Sequence, residues 1–157
     1  LELNTSMIKY VENGNIFDLS GVFNYAHGCN CAGAMGKGIA LQFRKRFPLM
    51  YEEYKLLCSK KQFGLGDVFV YEYEQGVVFN LGTQTTWKSK ADLNAIGDAI
   101  CKMFEEALKR NINKIAMPKI GAGLGGLMWN DVKKIIENSS DQYPDIALVI
   151  VENYSAN

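Results

Sequence analysis

Two glycine-rich stretches, each set between a strand-like run and a helical pattern, constrain this chain more than any other feature. The first is Ala26-His27-Gly28-Cys29-Asn30-Cys31-Ala32-Gly33-Ala34-Met35-Gly36-Lys37-Gly38-Ile39-Ala40. It follows Val22-Phe23-Asn24-Tyr25 and leads into a helix with apolar positions Ile39, Ala40, Phe43 and Phe47. The second is Pro118-Lys119-Ile120-Gly121-Ala122-Gly123-Leu124-Gly125-Gly126-Leu127-Met128-Trp129, which follows Ile115-Ala116-Met117 and precedes Val132, Ile135 and Ile136 at helical spacing. Glycine lets the backbone come close to a bound group, while free amides and the positive end of a helix dipole favour an anion. One such loop serves close packing as readily as phosphate. Two in the same context point to a ligand with two phosphates.

The core Cys-Asn-x-x-Gly-x-Met-Gly-x-Gly-Ile-Ala of the first loop and Pro-x-Ile-Gly-x-Gly-Leu-Gly-Gly-x-x-Trp of the second resemble the macrodomain family of ADP-ribose-binding proteins. The resemblance runs in order from about Ile8 to Tyr154. It is nearest to stand-alone macrodomains of the yeast and phage type that act on ADP-ribose 1''-phosphate. It also extends to glycohydrolases that remove ADP-ribose from protein or from DNA.

Strand runs and helical periods alternate without a Pro-, Ser- or charge-rich linker, so one domain is expected. Met7–Glu12 reads as a first strand and Val22–His27 as a second, followed by a helix to Phe47 that Pro48 interrupts and a helical continuation through Tyr51, Tyr54, Leu57 and Cys58. Asp67–Glu74 and Val77–Leu81 predict a hairpin around Gln75-Gly76. Asp92–Leu108 is the clearest amphipathic helix, and Ile146–Val151, apolar at every position, fits a strand covered on both faces. The expected architecture is a three-layer α/β/α sandwich with a mixed central sheet, which the resemblance also implies. In such sheets a ligand lies beyond the carboxyl ends of the strands, where both glycine loops fall.

A chain of 157 residues buries about 70% of its unfolded surface and needs no staple. Leu1-Glu2-Leu3-Asn4-Thr5-Ser6, ahead of Met7, reads as an expression-tag remnant, leaving residues 7–157 as the domain. Basic and acidic side chains number 17 each, which argues against general nucleic-acid binding. Arg44, Lys45 and Arg46 sit where they complement a helix C-terminus. Cys29, Cys31, Cys58 and Cys101 form no secreted framework, so a cytoplasmic location with reduced thiols is expected. No metal site is expected, because Cys29 and Cys31 lack two further ligands at suitable spacing. No cofactor is expected, and no apolar run is long enough to span a membrane.

His27 is the only histidine. It enters the first loop, and an imidazole there either exchanges a proton with substrate or is a ring hydrogen-bonded at a strand end. The yeast-type phosphatases resemble this chain in having histidine at that position. Asn30 offers a donor and an acceptor to ribose hydroxyls, or forms an Asx turn. The resemblance places Asn30 at the distal ribose and implies that Gly33, Met35, Gly36, Gly38 and Ile39, with Ile120, Gly121, Ala122, Gly123, Leu124, Gly125 and Gly126, line the diphosphate and ribose. Lys37 either neutralises phosphate or faces water. Asn15, followed by Ile16, stands where many macrodomains have an aspartate for the adenine amino group, though Asn-Gly and its neighbours also signal a turn. Tyr154 offers an aromatic face for adenine.

Thr83 and Gln84, in Leu81-Gly82-Thr83-Gln84, would border the distal ribose. Here the chain departs from its relatives. Both glycohydrolase branches have a lysine where Gln84 stands, and the protein-directed one has an aspartate where Gly125 stands. Glutamine cannot form a Schiff base, so a lysine-dependent mechanism is not expected. The expected activity is hydrolysis of ADP-ribose 1''-phosphate with His27 and Asn30 as catalytic residues. The alternatives are removal of ADP-ribose from an ADP-ribosylated macromolecule and ADP-ribose binding without turnover. A Rossmann-type oxidoreductase fits less well, because Gly33-x-x-Gly36-x-Gly38 is not the dinucleotide spacing.

Overall fold

Apolar runs and helical periods resolve into six strands and four helices among the described residues, 7–156, of a computed structural model. The six residues read as a tag remnant lie outside that range. The strands are β1 (Ile8–Gly14), β2 (Tyr25–Asn30), β3 (Val68–Glu72), β4 (Val77–Gln84), β5 (Lys114–Pro118) and β6 (Ala147–Tyr154). The helices are α1 (Gly38–Arg46), α2 (Pro48–Ser59), α3 (Leu93–Lys109) and α4 (Trp129–Ser140). Strand order is β1-β6-β5-β2-β4-β3, with every neighbouring pair parallel except β3 and β4. This is the mixed sheet of an α/β/α sandwich.

Each face of the sheet carries its own core. Phe79, Leu81, Ile115, Met117, Leu148 and Ile150 pack under α3 and α4, where Ile96, Ile100, Met103 and Phe104 supply the buried stripe. Asp92 caps α3, its carboxylate accepting from the Ala95 N–H at 2.9 Å. The other face is aromatic: Tyr25, Phe43, Phe47, Tyr54 and Phe63 join Val78 and Met35 under α1 and α2. Pro48 opens α2 at a position where its missing N–H costs nothing, which divides the helical run.

Several strand boundaries differ from the sequence pattern, two of them beside the glycine loops. β2 was expected to end at His27 but runs on to Asn30, because Gly28 fits in the ladder; a Cβ there would lie 3.0 Å from Thr83 Oγ1 and 3.2 Å from Ile120 Cγ2. β4 continues to Gln84 rather than Leu81, since Gly82 passes against the Gly64 backbone, where any side chain would collide with the Gly64 carbonyl oxygen. No helix among the described residues is long and apolar enough to cross a membrane.

Candidate functional site

Helices change faces between β5 and β2: the chain leaving β2 enters α1 on the aromatic side, and the chain leaving β5 enters α4 on the opposite side. A crevice opens at such a switch point. It is widened because β2 and β5 pair only at Tyr25 and Ala116, after which the two strands separate toward their carboxyl ends. The first glycine loop, residues 31–37, and the second, residues 119–128, form the two lips. They meet where Leu124 Cδ1 lies 3.3 Å from the position of a Cβ on Gly38.

The lips present backbone donors in series. The N–H groups of residues 35–40 and of residues 121–125 have no acceptor among the described residues. Lys37 holds the N-cap of α1 without a side-chain bond, and the first helical bond is Leu41 N–H to the Lys37 carbonyl at 3.3 Å. Backbone donors are nearly always paired in folded proteins, so two such runs facing one crevice call for an acceptor-rich group. Gly38 takes φ +60°, a backbone conformation that favours glycine, where the chain turns from the loop into α1. The second loop is held by Leu127 N–H to Gly121 O at 2.9 Å and Ala91 N–H to Gly125 O at 2.8 Å. Gly125 is buried, and a Cβ there would lie 2.7 Å from the Gly121 carbonyl oxygen, so no aspartate fits this position without moving the loop.

Asn30 organises the first loop. Its Oδ1 accepts from Ala32 N–H at 3.0 Å, Ala34 N–H at 3.2 Å and the Tyr54 hydroxyl at 2.9 Å, while its Nδ2 donates to the Ala34 carbonyl at 2.8 Å. Of the two readings of Asn30, the structure displays the turn-forming one. Tyr54, read from the pattern only as a helix position, is wholly buried and anchors both the Asn30 side chain and its carbonyl. Asn30→Ala is expected to lower stability by about 2 kcal/mol, because the two loop amides and the tyrosine lose their acceptor inside the protein. Urea unfolding measures this.

His27 lies deeper than the loop position expected of it. It is the third residue of β2, registered with Asn80 of β4, and it is completely buried. Its ring stacks on Phe43, centroids 4.0 Å apart, and its Nε2 lies 2.6 Å from Asn80 Oδ1. Burial lowers its pKa to about 4, opposed only by the Asn80 bond, so the ring is neutral at pH 7. The lone histidine packs the aromatic layer, with none of its surface open to solvent.

Other expected contacts divide by depth. The side chains of Ile16, Met35, Ile120 and Thr83 are buried, Thr83 donating to the Cys29 carbonyl at 3.3 Å, so these residues can meet a ligand only through their backbone. Gly33, Ala122 and Ile39 are partly exposed, and Gly36, Gly123, Leu124 and Gly126 open to solvent. At the β1 and β6 end, Asn15 Oδ1 accepts from Phe17 N–H at 2.9 Å, and the half-buried Tyr154 ring meets Phe17 edge-on at 6.4 Å. At the β4 end, Gln84 Nε2 donates to the carbonyls of Thr86 and Ser89, at 2.8 and 3.1 Å, pinning a turn that lifts Trp87 into solvent. Trp87 was missed by the sequence reading; the only signal was its place in the polar run Thr85-Thr86-Trp87-Lys88-Ser89-Lys90 after a strand.

Residues 26–136 match the Macro domain family. A DNA ADP-ribosyl glycohydrolase of Mycobacterium tuberculosis is 34% identical over 125 residues, covering 77% of this chain and 36% of the relative. The solved macrodomain of Mycobacterium tuberculosis DarG superposes with a TM-score of 0.86 at 31% identity, covering 94% of this chain and 99% of that one. An ADP-ribose 1''-phosphate phosphatase of Candida albicans is 27% identical, covering 79% of this chain and 86% of the relative. The chain spans well under half the length of the DNA ADP-ribosyl glycohydrolases it matches, 36% and 41% in two of them.

Proposed function

From a chain that belongs to the macro domain family, we propose a protein that binds ADP-ribose along the carboxyl edge of its sheet and hydrolyses a group from the distal ribose. The observation that carries this reading is the pair of unpaired amide runs, residues 35–40 and 121–125, on the two lips of one crevice. A diphosphate supplies acceptors to both. Adenine then lies at the β1 and β6 end, against Tyr154 and the Asn15 turn, and the distal ribose lies at the β4 end beside Gln84.

ADP-ribose 1''-phosphate is the substrate this geometry favours. Gln84 and Gly125 place no charged nucleophile or acid at the distal ribose, and His27 is sealed in the core. Such a site acts best on a group that departs as a stable anion. Phosphate, a stable anion at neutral pH, is one. Water provides the new hydroxyl, giving ADP-ribose and inorganic phosphate. The relatives named as glycohydrolases support a second reading, release of ADP-ribose from a modified macromolecule.

Incubation with ADP-ribose 1''-phosphate, ADP-ribosylated protein and ADP-ribosylated DNA separates these activities. Phosphate release from the first, faster than ADP-ribose release from the others, is the expected result. ADP-ribose release from a macromolecule with no phosphate from the monoester would establish the second reading instead.

A further inference from the structure

We propose that Lys37 and Lys88, gathered at the exposed Trp87 ring, form a second anion subsite at the β4 end of the cleft, which receives a phosphate carried by the group attached to the distal ribose. The proposal rests on the binding mode just described and adds what lies beyond its last sugar.

Two loops converge at this point. Lys37 comes from the first glycine loop and Lys88 from the turn after β4, yet their ammonium groups stand 5.5 and 5.1 Å from the centre of the same indole. Trp87 remains 56% exposed, so the ring is a platform on the surface and not part of the core. Its turn is stiff: besides the two Gln84 bonds, Thr86 N–H donates to Ser89 Oγ at 2.9 Å and Ser89 N–H to Thr86 Oγ1 at 3.2 Å. A platform held in this way is ready before a ligand arrives, which lowers the cost of binding.

Charge points to the chemistry of the occupant. The chain as a whole is neutral, yet the segments 31–37, 85–91 and 119–128 contain Lys37, Lys88, Lys90 and Lys119 and no acidic residue. None of these four lysines has an ion-pair partner among the described residues. The ammonium groups of Lys37 and Lys88, both tied to one ring, lie within about one Debye length of each other, about 10 Å at 0.1 M salt, so their repulsion is not fully screened. Contact with the ring offsets part of this cost, and an anion bound near the two groups offsets more of it.

Position separates this anion from the diphosphate. Strands stand about 4.8 Å apart, so the four spacings from β1 to β4 cover about 19 Å, the reach of an extended dinucleotide-like ligand. The diphosphate belongs over β5 and β2, in the middle, and Trp87 belongs to the far end. A phosphate there is a monoester on the distal ribose or the backbone phosphate of a nucleic acid joined to it.

The test compares Lys37→Met, Lys88→Met, Trp87→Ala and Lys37→Arg. ADP-ribose affinity is measured by calorimetry. ADP-ribose 1''-phosphate is followed by KM for phosphate release, or by calorimetric Kd where no phosphate is released. Lys88→Met should weaken the phosphorylated ligand about 10-fold, the order expected for one charge contact in a partly screened site, and ADP-ribose no more than about twofold; Lys37→Met should weaken the phosphorylated ligand more than it weakens ADP-ribose. Lys37→Arg should restore most of the loss. Trp87→Ala should resemble the lysine variants, since the ring positions both.

If the variants weaken an ADP-ribosylated oligonucleotide and spare the monoester, the phosphate comes from a nucleic-acid backbone and the subsite stands. Equal losses for ADP-ribose and its phosphorylated form would overturn it, as the lysines would then serve the diphosphate common to both. Unchanged affinity for every phosphate-bearing ligand would overturn it as well. Failure of the unaltered protein to bind ADP-ribose at all would instead reject the underlying binding mode.

Discussion

Gly123→Val is expected to weaken ADP-ribose binding by about 100-fold, some 2.7 kcal/mol, while the protein melts within a few degrees of the parent. A Cβ added at Gly123 meets no atom within 4 Å, and the residue is exposed, so the fold has room for the side chain. The branched group would occupy the space beside amides 121–125 that a diphosphate needs. Two other glycines show why the choice of position matters. Gly33 has φ +87°, and a side chain there would be strained and pressed toward α2, with Cys58 Cβ at 3.6 Å, so Gly33→Val reports on folding as much as on binding. Gly125 fails for a steric reason, the Gly121 carbonyl. Calorimetry with ADP-ribose and with AMP, alongside thermal melting, decides the matter. AMP, which lacks the second phosphate and the distal ribose, should bind more weakly to the parent, and unchanged ADP-ribose affinity in Gly123→Val would refute the role given to the loop amides.

His27→Ala should cost about 3 kcal/mol of stability and leave turnover within a few-fold. The substitution empties the space against Phe43 and removes the partner of Asn80 Oδ1, both inside the aromatic core, without touching either lip of the crevice. The same burial predicts a pH dependence. With the folded pKa lowered to about 4 and the unfolded value near 6.5, only the unfolded chain takes up the proton between those limits. Stability is therefore unaffected by this group above about pH 6.5 and falls as pH drops toward 4, by up to about 3 kcal/mol. His27→Gln, which keeps a polar group but cannot titrate, should flatten that part of the profile in urea unfolding at stepped pH. A rate loss of about 100-fold in His27→Ala with stability intact would return the histidine to the reaction.

The sandwich was legible from local pattern because each helix and strand carries its own period: the α3 stripe, the hairpin about Gln75-Gly76 and the continuous apolar run of β6 are properties of neighbouring residues. Both glycine loops were legible for the same reason. The depth of single residues was not. Ile16, Met35, Ile120 and Thr83 lie in or beside motif positions, and nothing adjacent in the chain tells that their side chains turn into the core.

By itself the sequence determined the layer architecture, the two loops that form the lips of the crevice and the absence of a lysine at position 84, since these depend on residue type and short-range spacing. Tertiary structure alone decided that His27 is inside, that β2 and β5 part after a single registered pair, and that Lys37 and Lys88 meet at Trp87. The physical reason is that these three facts rest on contacts between segments far apart in the chain: Asn80 and Phe43 around the imidazole, the strand order that separates the glycine loops, and the turn held by Gln84. No local period encodes such meetings, because they follow from how the layers close on one another.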